Sequence, residues 1–244
     1  RQNLETKSQL IEHYLTYDKT INDKHVINAI AGYSYQSFQN RYNGSFGWGV
    51  KSPVVAPTDV FVRDFSAFNN YANFVPNFDR NELQSVFGRV NYSYDNKYFL
   101  TATVRADGSS KFGANNRYGV FPAFAAKWKL INEDFASNSL GKWFSDFSLR
   151  ANYGVLGSQD GLPSYGSVNR QFSYKDANGA DQVAFIQTGN PDLKWEEAAT
   201  TGAGIDMTTA DNRLSVTVDY FFTKRTNILF NAPTPGGFAP TSNW

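Results

Sequence analysis

The chain has 244 residues, a formal net charge of +1 and a charged fraction of 18%, so its composition gives no sign of a nucleic-acid surface. It contains no cysteine, which excludes a disulfide framework, a thiol nucleophile and a thiolate metal site. Its mean hydropathy is -0.47. No run of about 18 consecutive apolar residues occurs, so a transmembrane helix is excluded.

Apolar and polar residues alternate with a period of two along most of the chain, a pattern typical of β-strands whose two faces differ. In 98–105, for example, Leu100 and Val104 share one face, whereas Thr101 and Arg105 share the other. In chain order, the eight predicted strands cover about 8–18, 26–36, 84–94, 98–105, 119–130, 146–156, 197–207 and 214–223.

The connections between the predicted strands alternate in length. Short connections at 19–25, 95–97 and 208–213 alternate with longer ones, of which 37–83 and 157–196 are the longest. Tight turns at one end and long loops at the other are typical of outer-membrane barrels, in which the turns face the periplasm. Strand alternation alone would equally describe a soluble sandwich with one wet face. The connection lengths favour the membrane barrel.

Three local features refine this interpretation. The turn 95–97 places Tyr94 opposite Tyr98, and both rings, together with Trp128, are predicted to lie at the periplasmic membrane edge, where amphipathic rings are favoured. The connection 131–145 is longer than a tight turn, and we expect a helical turn within it. Pro122 lacks a backbone N–H, so a bulge or a strand start is predicted there.

Three longer stretches have distinctive residue sequences in addition to the alternation of apolar and polar residues. They read Arg-Ala-Asp-Gly-Ser-Ser-Lys-Phe-Gly at 105–113, continuing through 116–119 to Phe-Pro-Ala-Phe at 121–124; Leu-Arg-Ala-Asn-Tyr-Gly at 149–154, with Gly-Ser-Gln at 157–159; and Asn-Pro-Asp-Leu-Lys-Trp-Glu at 190–196. Together they closely resemble the SusC/RagA family of TonB-dependent (TonB-linked) outer-membrane transporters of Bacteroidetes. The resemblance covers about 10–35 and 84–230.

The resemblance implies an all-β fold: an antiparallel transmembrane β-barrel section, with about 8 strands of a 22-stranded barrel. Residues 1–244 would then be a partial barrel domain of an outer-membrane protein, with the plug domain, the TonB box and the remaining strands expected outside this chain. The implied function is import of large nutrients, either oligosaccharides or peptides. Expected partners are a SusD-like surface lipoprotein acting as a lid, TonB, the protein's own plug domain and membrane lipid.

Five basic residues are predicted to point into the barrel lumen, because a charge on the lipid face costs roughly 2–4 kcal/mol at mid-membrane. With Tyr94 opposite Tyr98, Arg89 falls opposite Thr103 and Arg105 is its diagonal neighbour. Two roles compete for these residues, contact with acidic groups of the plug and guidance of an anionic substrate, and plug contact is favoured. The candidates are Arg89, Arg105, Lys127, Lys129 and Arg150.

The loop 37–83 is rich in aromatic residues, which stack on sugar rings and also form protein contacts. Packing of the loop on itself, contact with the lipoprotein and contact with substrate remain equally open. The candidate contact residues are Trp48, Phe61, Phe65 and Tyr71.

No catalytic or cofactor-binding motif is found, so the chain is not predicted to be an enzyme and no metal or cofactor is expected. His13 and His25 are interpreted as solvated or interfacial. The stretch 172–185 has oxygen ligands at calcium-like spacing, but a plain hairpin with a two-residue turn at Asn178-Gly179 is favoured. Two rival interpretations stay open: a complete eight-stranded barrel acting as an adhesin or lipid enzyme, and a soluble carbohydrate-binding sandwich.

Overall fold

The computed structural model describes residues 2–44, 77–175, 181–187, 189–230, 232–233 and 242–243. All eight predicted strands are confirmed, and the predicted helical turn forms α1 (Asp134–Leu140). Short 3₁₀ turns occupy Ala114–Asn116 and Leu130–Asn132. The strands are β1 (Gln2–Ile21), β2 (His25–Gly44), β3 (Asn77–Tyr94), β4 (Tyr98–Ser109), β5 (Tyr118–Lys129), β6 (Phe144–Ser158), β7 (Arg170–Lys175), β8 (Asp181–Gln187), β9 (Glu196–Thr209), β10 (Ser215–Thr226), β11 (Ala232–Pro233) and β12 (Ser242–Asn243).

The chain divides into two compact units. The smaller unit comprises Arg1–Gln9 and Ser37–Asn81, and in its described part Thr6 donates a hydrogen bond to Asn40 at 3.0 Å. The larger unit comprises Leu10–Gln36 and Glu82–Trp244.

One sheet dominates the structure, with its strands in the order β1-β2-β3-β4-β5-β6-β9-β10. All strand pairings from β3 to β10 are antiparallel, and only β6 and β9 are neighbours that do not follow each other in the chain. In the sequence between β6 and β9, the strands β7 and β8 form a separate two-stranded hairpin. Strands β1 and β10 form the two edges of the sheet, so the described strands do not close into the small barrel considered above.

The two tightest connections use left-handed backbone conformations. Asn22 and Asp23 have φ of 51° and 52°, and Asp95 and Asn96 both have φ of 51°. Consecutive positive φ values define the type I′ turn, whose twist matches that of a hairpin, and Asn and Asp tolerate this conformation better than most residues. The local residue types therefore explain why the chain reverses at these two points.

One face of the sheet is apolar and exposed. Val86, Val104, Phe124 and Val218 lie on this face and are 59%, 49%, 56% and 56% exposed. A sandwich would bury such a face against a second sheet, and none covers it among the described residues. The described part of the chain contains no helix that is both long and apolar enough to cross a membrane. We call this surface the apolar face, and the opposite one the polar face.

A buried cluster lies at the end of the larger unit remote from the tight turns. Its ring contacts join Phe112 to Trp195 (centroids 4.6 Å apart) and Phe121 to Trp195 (5.5 Å apart, edge to face). We call it the core cluster; its members, all between 1% and 6% exposed, are Phe112, Phe121, Leu162, Leu193 and Trp195.

The core cluster brings together the three stretches that carried the resemblance. A Cβ at Gly157, in the second stretch, would overlap the ring of Phe121 in the first. A Cβ at Gly113 would overlap the carbonyl oxygen of Pro191 in the third. Ser109 also donates a hydrogen bond to the side-chain oxygen of Gln159. These glycines are required because their neighbours approach the backbone too closely for any side chain.

The prediction for Pro122 was wrong. The residue lies inside β5, opposite Val104, and the register with β4 continues unbroken on both sides. Pairing of β5 with β6 begins only at Ala123, opposite Gly154. Pro122 therefore lies where β5 leaves one neighbour, and a strand position at the end of a ladder tolerates the missing N–H without a bulge.

Candidate functional site

The register places the predicted basic residues on the polar face. Arg89 is opposite Thr103, and Tyr94 is opposite Tyr98, which confirms the predicted hairpin register. Lys127 lies directly opposite Arg150. Like charges in this position repel each other, so the pair requires compensating carboxylates nearby.

Two aspartates supply that compensation. Arg150 contacts Asp206 through Nε and Oδ2 at 2.8 Å and through Nη2 and Oδ1 at 3.1 Å. The same Nη2 donates to Oδ1 of Asp219 at 2.9 Å, and Lys127 Nζ lies 3.6 Å from Asp206 Oδ2. Thr217 donates a further hydrogen bond to Asp206 at 3.1 Å. The two cations and two carboxylates form a charge-balanced group across β5, β6, β9 and β10.

Arg105 has its own carboxylate partner. Its Nε donates to Asp107, two residues along the same face of β4, at 2.7 and 2.9 Å. Its Nη2 donates to the hydroxyl of Ser85 at 2.9 Å. Asp107 is 9% exposed and Ser85 is 1% exposed. The charge of Arg105 is thus compensated by Asp107, and Arg105 lies opposite Phe121 of the core cluster.

Arg89 and Lys129 differ from the other three basic residues. Arg89 donates a hydrogen bond from Nε to the hydroxyl of Thr103 at 3.1 Å. Among the described residues, neither Arg89 nor Lys129 has a carboxylate within ion-pair distance. These two cations of the polar face are therefore uncompensated by the described part of the chain.

A ladder of polar side chains extends the polar face toward β1. Asn28 donates to the carboxylate of Asp18, Asn91 donates to Asn28 at 3.1 Å, and Thr101 donates to Asn91 at 2.9 Å. Each strand from β1 to β4 contributes one member. The ladder satisfies side-chain donors and acceptors within the wall.

A row of rings crosses the apolar face at its turn end. The ring centroids of His25 and Tyr94 lie 4.8 Å apart, those of Tyr94 and Tyr98 6.4 Å apart, and those of Tyr98 and Trp128 6.2 Å apart. The rings of Tyr98 and Trp128 are nearly parallel, with an interplanar angle of 13°. We call His25, Tyr94, Tyr98 and Trp128 the ring row. Its geometry agrees with the predicted aromatic belt.

Glu133 accepts hydrogen bonds from two members of the ring row, a role that the sequence did not predict. Its Oε1 accepts hydrogen bonds from the Tyr98 hydroxyl at 2.5 Å and from Trp128 Nε1 at 3.1 Å, and its Oε2 accepts one from Lys97 at 3.2 Å. The bond from Tyr98, then the bond from Trp128, together with the Lys97 ammonium, lower the pKa of the Glu133 carboxyl below its ordinary value. The bond to Glu133 in turn raises the pKa of Lys97.

The remaining predictions have mixed outcomes. Trp48, Phe61, Phe65 and Tyr71 lie outside the described residues, as does the Asn178-Gly179 turn. The hairpin itself is confirmed as β7 and β8, but Lys175 pairs with Asp181, whereas the predicted two-residue turn requires Gln182. Among the described residues, no group of three or more His, Cys, Asp or Glu side chains could hold a metal ion.

Asp206, Asp219 and Glu133 were missed as partners of the basic residues. The alternation placed Asp206 and Asp219 on the polar side of their strands, which was the available signal. Their contact with Arg150 depends on the pairing of β6 with β9, and the β7–β8 hairpin separates those strands in the sequence.

Comparisons with known proteins agree with this two-faced wall. Residues 2–243 match the family model described as TonB dependent receptor-like, beta-barrel. The chain is 34% identical to TonB-dependent receptor P39 of Formosa agariphila over 92% of its own length and 21% of that relative. It is 30% identical to TonB-dependent receptor SusC of Bacteroides thetaiotaomicron over 92% of this chain and 22% of that protein.

The fold agrees as well. The solved structure of the RagAB peptide transporter matches with a TM-score of 0.77 and 25% identity, over 96% of this chain and 25% of that one. The chain spans about a fifth of the length of these curated relatives. The resemblance inferred from the three sequence stretches is thereby confirmed. The chain belongs to the TonB-dependent receptor β-barrel family and is a section of such a barrel in the outer membrane.

Proposed function

We propose that this section forms part of the wall of a TonB-driven importer that takes up large nutrients, either oligosaccharides or peptides, beneath a SusD-like surface lipoprotein. The observation that carries the proposal is the difference between the two faces of the sheet. The exposed valines and rings of the apolar face suit lipid, whereas ion pairs and a polar ladder occupy the other face. A relative described as a peptide transporter supports the peptide alternative, and similarity to SusC supports the lipoprotein partner.

The test uses the whole protein in its host. Deletion of the gene should abolish uptake of at least one labelled oligosaccharide or peptide, and re-expression should restore that uptake. Because the proposed energy source is the inner-membrane proton gradient acting through TonB, a protonophore or loss of TonB should reduce uptake as strongly as deletion does. Uptake that continues at full rate without TonB would contradict the proposal.

Within this function, we assign plug contact to Arg89 and Lys129 first. Arg105, Lys127 and Arg150 already have carboxylate partners within the wall, so they have less charge to offer another domain. A cation without a carboxylate partner in the wall favours an acidic partner elsewhere, and in a plugged barrel the plug supplies a surface facing the wall. The loop aromatics Trp48, Phe61, Phe65 and Tyr71 stay candidates for contact with the substrate or the lipoprotein.

Replacement of Arg89 by Met tests this assignment. Protection of the plug against hydrogen exchange should fall in Arg89→Met, while Arg213→Met, at an exposed turn between β9 and β10, should leave it unchanged. If plug protection is unchanged and only uptake of anionic substrates falls, Arg89 guides substrate instead. Lys129→Met provides a second, independent measurement.

A further inference from the structure

We infer that the segment 130–143, which joins β5 to β6, is a membrane anchor whose Phe135 and Trp143 insert into the phospholipid headgroup region at the turn end of the barrel. The inference concerns the lipid leaflet beside the wall. It depends on the family assignment and does not depend on what the protein imports.

Two large aromatic side chains of the segment are exposed. Phe135, in the first turn of α1, is 64% exposed, and Trp143, just before β6, is 71% exposed. By contrast, Ile131 is 8% exposed and Ala136 is 1% exposed. The segment therefore has apolar contacts that attach it to the wall and separate rings that the wall does not cover. Two uncovered rings on one short segment offer apolar area to a partner surface.

The start of α1 is fixed beneath the apolar face. The backbone carbonyl of Glu133 accepts hydrogen bonds from the N–H groups of Ala136 and Ser137 at 3.0 and 2.8 Å, so Glu133 begins the helix. The carboxylate of the same residue accepts hydrogen bonds from Tyr98 and Trp128 of the ring row. One residue thus connects α1 directly to the lipid-facing side of the wall, and Phe135 follows two positions later.

The chemistry of the segment fits a headgroup layer rather than hydrocarbon. Ser137, Asn138 and Ser139 are exposed on α1, so the helix is too polar to enter the acyl region. Lys142 is exposed next to Trp143, and a ring beside a long cationic side chain is typical of membrane interfaces. Because the acidic Asp134 offsets Lys142, we expect attachment through the rings and not through net charge. Attachment should therefore persist at high salt.

Site-directed spin labelling of the whole protein in phospholipid bicelles tests the inference. Labels at Phe135→Cys and Trp143→Cys should collide more often with oxygen, which partitions into lipid, than with a water-soluble nickel chelate. The control is Ser137→Cys, which lies about 200° around α1 from Phe135 and should show the opposite preference. A label at Arg213→Cys, in the turn between β9 and β10 where the side chain is 87% exposed, gives the reference for exposure to water.

Three results would overturn the inference. Nickel collisions at 135 and 143 that match those at 213 would place the rings in water. Labels protected from both reagents would show that a protein covers the segment, namely the plug or a periplasmic partner. Oxygen preference that disappears at high salt would show that charge holds the segment. As a second measurement, Phe135→Ser with Trp143→Ser should lower the thermal midpoint in bicelles more than in detergent micelles; an equal loss in both would also contradict the anchor.

Discussion

The indole Nε1 of Trp195 donates a hydrogen bond to the backbone carbonyl of Arg117 at 3.2 Å, so two of the three family stretches meet at one atom pair. Trp195 is also 6% exposed and packs on Phe112 and Phe121. Trp195→Phe should cost about 1 kcal/mol for the lost hydrogen bond, plus a smaller loss of packing. Trp195→Ala should cost about 3–5 kcal/mol, because it leaves a cavity.

The measurement is the free energy of unfolding of the whole protein in one detergent. Trp143→Phe serves as the matched control, since Trp143 is 71% exposed and should be close to neutral there. Equal losses for Trp195→Phe and Trp195→Ala would show that ring packing contributes little to the core cluster.

The two carboxylates around Arg150, those of Asp206 and Asp219, should differ in their coupling energy with Arg150. The side chain of Asp206 is 22% exposed and that of Asp219 is 53% exposed, so water screens the second ion pair more strongly. In double-mutant cycles with Arg150→Met, we expect a coupling of roughly 0.5–3 kcal/mol for Asp206→Asn. For Asp219→Asn the coupling should stay within about 1 kcal/mol. Unfolding in lipid gives both values, and a larger coupling for Asp219 would contradict the assigned geometry.

Glu133 should make stability depend on pH in a predictable direction. A carboxyl whose pKa is lowered in the folded state stabilises the protein above its ordinary pKa of about 4.3 and loses that contribution as pH falls through the lowered value. The raised pKa of Lys97 gives stability below about 10.4 that is lost as pH rises further. Glu133→Gln should therefore be most destabilising relative to wild type between these limits.

The thermal midpoint of wild type and Glu133→Gln, measured across pH, tests this expectation. The difference between the two proteins should shrink at both extremes of pH. A constant difference at every pH would mean that Glu133 acts through packing and not through its charge.

Replacing a left-handed turn residue by glycine or by alanine should have different effects on the free energy of unfolding. Asn96 has a φ of 51°, which an alanine adopts only at a cost of about 1–2 kcal/mol, whereas glycine adopts it freely. Asn96→Ala should therefore lower the free energy of unfolding and Asn96→Gly should not. The hydrogen bond from Asn132 to the backbone carbonyl of Asn96, at 2.7 Å, remains possible in both variants. Equal stability of the two variants would contradict the turn conformation.

Much of the wall followed from local sequence. Alternation predicted the eight strands, and the 95–97 turn set Arg89 opposite Thr103, because hairpin register depends only on neighbouring residues. The pairing of Arg150 with Asp206 depends on strands separated by a whole hairpin, which local patterns do not determine. Pro122 was misjudged for a related reason. Its environment depends on where β5 parts from β6, and that point is determined by tertiary packing.

The core cluster separates the β7–β8 hairpin from the strands that form the wall. Leu162 and Leu193 pack together in it, and beyond them Asn190 N donates to Gly166 O at 3.0 Å, which closes a narrow neck. The β7–β8 hairpin extends past that neck. Insertions, deletions or wholesale exchange between 170 and 187 therefore need not disturb the register of β6 and β9. The wall should therefore keep its stability when the hairpin is exchanged for another.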